Sequence, residues 1–493
     1  MIAGGWKALG AALLAAVMVA CTTTHHPAPP AAAPDLGRSL AAKVTVDAMM
    51  GHLRALQAIA NANRGNRAAG TPGYDASVDF VAKLLRDKGF DVSTPQFERL
   101  VTVSQGKPTL TVVGRSYPVD QASLLVRTPP GGLTGPVVRP TQSAGCAAGD
   151  YPPVVPKGAV AVVDDSRCSV VDKQNSAVAR GAAAVVVINR STGQGAPPGL
   201  FNRGYYKQLT VPVAVVGGNG ATALERATAP VRLVLDAETA DITSRNVVAQ
   251  TRTGAANEVV MVGTHLDSPG DSPGINNGGS GTAALVETAL QLGPLAPVTN
   301  AVRFVFWGAE ENGINGATDY VFGLDNEQLN NIALYLNFDM LGSANAGYFT
   351  DDGDQSGPPG PGVASADVPE GSAGLERTLA GYLNLAGRRP ADMPLNTRTD
   401  YHPFLVAGVP VGGMNTGASQ TKTTVQARLW GGQAGAPFDP NYPGAGDTVE
   451  NINSEALAVM GAGVAFAVGY YAQSITGVNG VTPHDKRHRI RPS

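Results

Sequence analysis

At 493 residues and 43% hydrophobic content the chain is long enough for two or three cores. A formal net charge of -3, with only 15% charged residues, argues against a nucleic-acid or anionic-lipid binder held by its field. The 61 glycines and 36 prolines imply many turns and long loops.

Lys7 and the apolar run Leu9 to Val19 form a secretory core too short to span a bilayer. Met18-Val19-Ala20-Cys21 resembles the lipobox of bacterial lipoproteins. Residues 1–20 are then a signal peptide, and Cys21 is a lipid anchor to the bacterial cell membrane. Simple secretion with cleavage nearby is the other reading. Residues 21–40, Pro/Ala-rich from Thr22 to Pro34, read as an extended tether.

Residues 41–127 open the folded part. Gly70-Thr71-Pro72-Gly73 is a turn, and Val78, Val81 and Leu85 follow at helical spacing, with Gly89 as a stop signal before a strand near Phe90. From 128 to 240 the texture changes to short apolar runs between Pro/Gly turns, which predicts a small, separate β-rich module. It contains Cys146 and Cys168, the two cysteines besides Cys21, which are expected to pair in an oxidising compartment.

From 245 to 475 apolar strands alternate with helical stretches such as Gly281 to Leu292. This predicts an α/β fold with a mainly parallel sheet sandwiched by helices. Residues 476–493 read as a solvated basic tail.

Ligands bind beyond the carboxyl ends of strands in such sheets. Val259 to Gly263 runs into Thr264-His265-Leu266-Asp267, Val302 to Trp307 into Gly308-Ala309-Glu310-Glu311, and Ala333 to Phe338 into Asp339-Met340. Imidazole and carboxylates converging from three strand ends suit Zn²⁺. Each piece alone has a plain structural explanation, whereas the ordered set, with the Gly-rich turn Gly274 to Gly281 between the first two, is specific.

On these motifs, with Thr71-Pro72-Gly73-Tyr74 and the stretch Phe438 to Asp447, the chain resembles the bacterial leucyl aminopeptidase family of zinc metallopeptidases, family twenty-eight, in its actinobacterial lipoprotein form. The 128–240 module resembles a protease-associated domain inserted into such peptidases. The resemblance implies His265 and Asp339 on one zinc, Asp267 fixing the imidazole tautomer from behind, Glu311 as a zinc ligand and Glu310 as general base. It also implies that Arg398 and Asp400 position substrate and that Tyr442 steadies the oxyanion.

Two positions depart from the family pattern. Asn277 stands where a bridging aspartate is usual, and Pro443 where the second zinc has a histidine. A neutral amide offsets little of the repulsion between two dications, and proline offers no donor. Zinc is therefore expected as one ion or none rather than two, with His402 or Asp271 as conceivable substitute ligands. The substrate or ligand is a peptide, and two functions compete: an exported metal-dependent aminopeptidase, or an impaired relative that captures peptides or a partner protein.

Overall fold

Three runs of β-branched and aromatic residues, Ala255–His265, Asn300–Trp307 and Ile332–Phe338, form the middle of an eight-stranded sheet. The computed structural model describes residues 35–190, 197, 199–202, 204–477 and 480–492, so the signal segment, Cys21 and most of the tether lie outside the described residues.

Asn300–Trp307, Ala255–His265, Ile332–Phe338 and Val411–Asn415 lie side by side and parallel, in that order. Every side chain from Ile332 to Phe338 is buried, as expected of a parallel strand covered on both faces. Beyond Asn300–Trp307 the sheet continues antiparallel through Val247–Gln250 to Asp91–Ser93. Beyond Val411–Asn415 it continues through the antiparallel Phe349–Asp351 to Ala391–Met393.

One face is covered by the helices Val46–Ala62, Pro72–Asp87, Gly279–Leu292 and Ser454–Gln473. Their Leu53, Val81, Leu285 and Val464 pack with Val262, Phe304 and Leu336 of the sheet. Asn315–Gly323 and His402–Val406 cover the other face, where Val321 and Phe404 join Met261, Trp307 and Tyr335. The parallel sheet between two helical layers is the architecture that strand and helix alternation implied. Ser454–Gln473 is apolar and long enough to cross a membrane, yet Leu457, Met460, Val464 and Val468 are fully buried in this core.

The helix Pro72–Asp87 has the expected apolar spacing but starts inside the Gly70–Gly73 stretch that the sequence reads as a turn. Thr71 caps it by accepting the Tyr74 N–H at 3.3 Å, Pro72 occupies the first turn, and Val78, Val81 and Leu85 are buried on one face.

The inserted module is strand-rich, as its sequence reads, and differs from that reading in border. Val137–Val138, Val160–Asp164, Ala184–Ile188 and Val213–Val216 are parallel neighbours, with the helix Val170–Val178 between two of them. Thr109–Val112 pairs with Val231–Val234, and Asp120–Gln121 with Val213–Val216, which moves residues 109–121 out of the 41–127 segment and into the insert. The Pro/Gly texture near 128 marks a loop inside the module. The two crossings are Gln96–Ser104 and Glu238–Arg245, paired as one antiparallel ribbon. Cys146 and Cys168 are disulfide-bonded, with 6.0 Å between their Cα atoms.

Two arginines of the basic tail are held against the protein, while Lys486, His488 and Arg491 are exposed. Arg487 is buried, pairs with Glu258 and donates to Asn330 O at 2.7 Å, while Arg489 donates to Ile332 O at 3.0 Å and to Gly408 O. Two guanidinium groups satisfy main-chain carbonyls at the entry to the central strands, a use that basic composition alone does not reveal.

Candidate active site

His265 is the last residue of its strand, Asp339 directly follows Phe338, and Glu310 lies three residues beyond Trp307. All three sit at the carboxyl edge of the parallel strands. The backbone there is unusual: Ala309 (φ 57°) and Met340 (φ 53°) occupy the left-handed region beside Glu310 and Asp339. Such conformations persist where the surroundings impose them, and they cluster at functional sites. Gly278 (φ 71°) lets the Gly-rich turn lie against the imidazole, since a Cβ there would stand 2.6 Å from His265 Cε1.

The turn also orients Asp339, whose Oδ1 accepts the N–H of Gly278 and of Met340, both at 2.7 Å. His265 Nε2 is buried with no hydrogen-bond partner among the described residues, and Asp339 Oδ1 stands 3.4 Å away. On the far side of the ring, Nδ1 meets the main-chain oxygen of Asp267 at 3.1 Å, nearer than the carboxylate at 3.7 Å. The Asp267 carboxylate accepts the N–H groups of Glu310 (3.1 Å) and Glu311 (3.2 Å) instead. Asp267 thus serves the imidazole through its backbone and the Glu pair through its side chain, which modifies the role expected of it.

One ligand atom each from His265, Glu310 and Glu311 lies within 4.8 Å of the others. With Asp339 this is a nitrogen and oxygen donor set of the kind zinc takes, and Nε2, which makes no hydrogen bond among the described residues, is the ring atom that would bind a metal. Burial pulls the His265 imidazole pKa down, but Asp339 and Glu310 outweigh it and the net is well above the ordinary value. Burial raises the Glu310 carboxyl well above its usual range against the pull of His265, and pushes Glu311 up to about 7.

Asn277 and Tyr442 are also brought here. The Asn277 side-chain amide donates to Glu311 Oε1. Half-buried Tyr442 feels Glu311, Asp339 and Glu310, and its hydroxyl is pushed up to about 12, chiefly by burial. Asp400 is buried with Oδ1 unpartnered, and burial lifts its carboxyl to about 8. Arg398 and Asp271 are exposed, and among the described residues no contact ties the Arg398 guanidinium to the cluster. His402 begins the helix His402–Val406 and is not among the clustered metal-ligand candidates.

Sequence reasoning missed Arg67. Fully buried, it donates to the carbonyls of Pro273 (3.0 Å), Gly274 (2.6 Å) and Leu266. One side chain thereby ties the His265 loop to the Gly-rich turn. Asp447, the last residue of the Phe438 to Asp447 stretch, accepts the N–H of Asn276 (2.6 Å) and of Asn277 (3.0 Å), while Asn276 donates to Asp439 at 2.6 Å. The turn is therefore fastened from both sides.

The description Peptidase family M28 matches residues 246–468, and PA domain matches residues 133–224. The chain is 47% identical to "Probable lipoprotein aminopeptidase LpqL" of Mycobacterium tuberculosis, over 91% of this chain and 89% of that one. It is 36% identical to an "Aminopeptidase" of Pseudomonas aeruginosa, over 86% and 80%. A solved zinc aminopeptidase from Bacillus subtilis shares the fold at a TM-score of 0.50 and 23% identity, covering 88% of this chain and 97% of that one.

Proposed function

Because the chain belongs to peptidase family M28 and carries an inserted PA domain, we propose that it is an exported aminopeptidase, dependent on one zinc rather than two, that removes N-terminal residues from peptides. The observation that carries this reading is the buried His265 Nε2, which among the described residues has no hydrogen bond and pairs only with Asp339 Oδ1 at 3.4 Å, beside the Glu310–Glu311 pair. His265, Asp339 and Glu311 would hold the ion. When bound, zinc polarises the scissile carbonyl and acidifies a water.

The chain's own groups supply the rest. Glu310, whose carboxyl burial raises above its usual range, is the group placed to take a proton from water and hand it to the leaving amine. Asp267 fixes the Glu310 and Glu311 backbone. The Tyr442 hydroxyl stays protonated at any working pH and can donate to the developing oxyanion. The naming of a relative as a lipoprotein supports a lipid anchor at Cys21 outside the cytoplasm, and Cys21→Ser should then move the protein out of the membrane fraction.

The test is zinc content of the mature chain together with hydrolysis of a leucyl anilide. About one zinc per chain is expected, with turnover that Glu310→Gln lowers by roughly 10²–10⁴-fold. Turnover unaffected by that change would sink the assignment of the base.

A second reading has its own support: the Asn277 amide engages Glu311, and Pro443 offers no ligand atom. On that reading the pocket captures peptides without cleaving them. Peptide binding by calorimetry, with neither bound zinc nor turnover, would favour it.

A further inference from the structure

Beside Asp339 lies a cavity of about 140 Å³ whose wall includes Asn337, Met340, Asp351, Met393 and Met414. Asp351 ends the strand Phe349–Asp351 and is only 6% exposed. Among the described residues no donor reaches its carboxylate. The neighbouring acids are provided for: Asp352 accepts the N–H of Ser356 and of Gly357 at 3.0 Å each, and Glu376 accepts that of Asp354 at 2.9 Å. Gly413 makes room for Asp351, because a Cβ there would stand 2.5 Å from Oδ2.

A buried carboxylate without a donor is costly, and here burial and the charge of Glu376 push it up to about 7. A cation entering the cavity would remove that cost. The three methionines in the wall are adaptable, polarizable surfaces suited to an unbranched methylene stem.

The geometry points to Asp351 as a specificity-determining residue: the cavity takes the side chain of the substrate's N-terminal residue, and Asp351 selects lysine or arginine over leucine. This rests on the aminopeptidase reading, since the shared Asp339 wall is what links the cavity to the scissile bond.

The test compares kcat/KM of the zinc-loaded mature chain on lysyl, arginyl and leucyl p-nitroanilides, for the wild type and Asp351→Asn. The basic substrates should be favoured, with the lysyl-to-leucyl ratio falling about tenfold or more in the variant, the scale of a lost hydrogen bond to a charged group. An unchanged ratio, or a wild type that favours leucine, overturns the inference. If no substrate is turned over, the aminopeptidase reading fails, and calorimetry with lysinamide and leucinamide decides the pocket by itself. Tighter lysinamide binding that Asp351→Asn abolishes upholds the inference. Equal binding, or none, overturns it. Asp351→Ser serves in place of Asp351→Asn if the latter does not fold.

Discussion

Asn277 donates its side-chain amide to the carboxylate of Glu311. Without a metal this contact is favourable, because a neutral donor meets an acid that burial has already raised to about 7. An aspartate at 277 would set two carboxylates against each other, and only bound cations would reconcile them. Asn277→Asp should therefore lower the melting temperature of the zinc-free protein by about 2 °C, through loss of about 2 kcal/mol in a chain of this length. Added zinc should restore it.

The double change Asn277→Asp with Pro443→His supplies a bridging carboxylate and an imidazole at the two departures from the family pattern. Metal analysis should rise from about one zinc to about two per chain, and anilide turnover should rise by at least roughly tenfold, modest against the several kcal/mol a metal can supply. No gain in zinc would mean that the loop around Tyr442 cannot present the new ligand.

Stability should fall as pH rises. Asp351 and Glu376, with ordinary values of 3.8 and 4.5, are both pushed up to about 7, chiefly by burial. Between about pH 4 and 7 the folded chain holds protons that the unfolded chain has released, so stability present below pH 4 is lost as pH climbs through 7. Asp164 and Glu287 are shifted the other way and act at lower pH, so they do not oppose this trend. Differential scanning calorimetry should show a lower melting temperature at pH 8 than at pH 5, with a smaller difference in Asp351→Asn. A flat profile would contradict the assignment.

The insert can be tested by itself through its disulfide. Cys146 and Cys168 are 22 residues apart, and closing such a loop contributes roughly 3 kcal/mol on the chain-entropy model. The Cys146→Ser and Cys168→Ser double variant should lower the urea midpoint of the insert's unfolding and leave zinc content unchanged. A parallel loss of zinc would show that the insert supports the site.

What could be read in advance follows from the range of each interaction. His265, Glu310 and Asp339 were visible because polar residues directly after apolar runs mark the carboxyl ends of parallel strands, a local pattern. The helix Pro72–Asp87 is legible for the same reason, through the spacing of Val78, Val81 and Leu85 and the stop at Gly89. The insert border was hidden because Asp120–Gln121 and Thr109–Val112 are too short to declare a sheet and find partners about a hundred residues away. Arg487 and Arg489 read as solvated charges in the sequence because their partners are main-chain carbonyls, which leave no trace in composition. Asp351 belongs to a three-residue strand that lies across Val411–Asn415 from the strand leading into Asp339, and only the folded chain brings the two onto one cavity.

Arg67 is the most hidden of these groups, and its removal should be the most damaging substitution outside the site. Its partners lie 199 to 207 positions away, and all are carbonyls of the loop after His265 and of the turn before Asn277. Burial lowers its pKa to about 10, with Asp267 and Asp447 opposing the shift, so it remains charged at neutral pH. Arg67→Ala would leave three buried carbonyls without donors and remove the charge that faces both aspartates. A cost of about 3–5 kcal/mol follows from stranding buried polar groups and breaking a buried charge arrangement. Arg67→Lys keeps the charge but brings a compact ammonium in place of the planar fork, and should recover only part of that cost. The two effects separate in one pair of measurements, urea unfolding for stability and zinc affinity for the site. Arg67→Lys should fold and yet bind zinc more weakly, because its shorter reach no longer holds the Gly274 turn against the His265 loop. Equal zinc affinity in Arg67→Lys and the parent chain would reduce Arg67 to a packing residue.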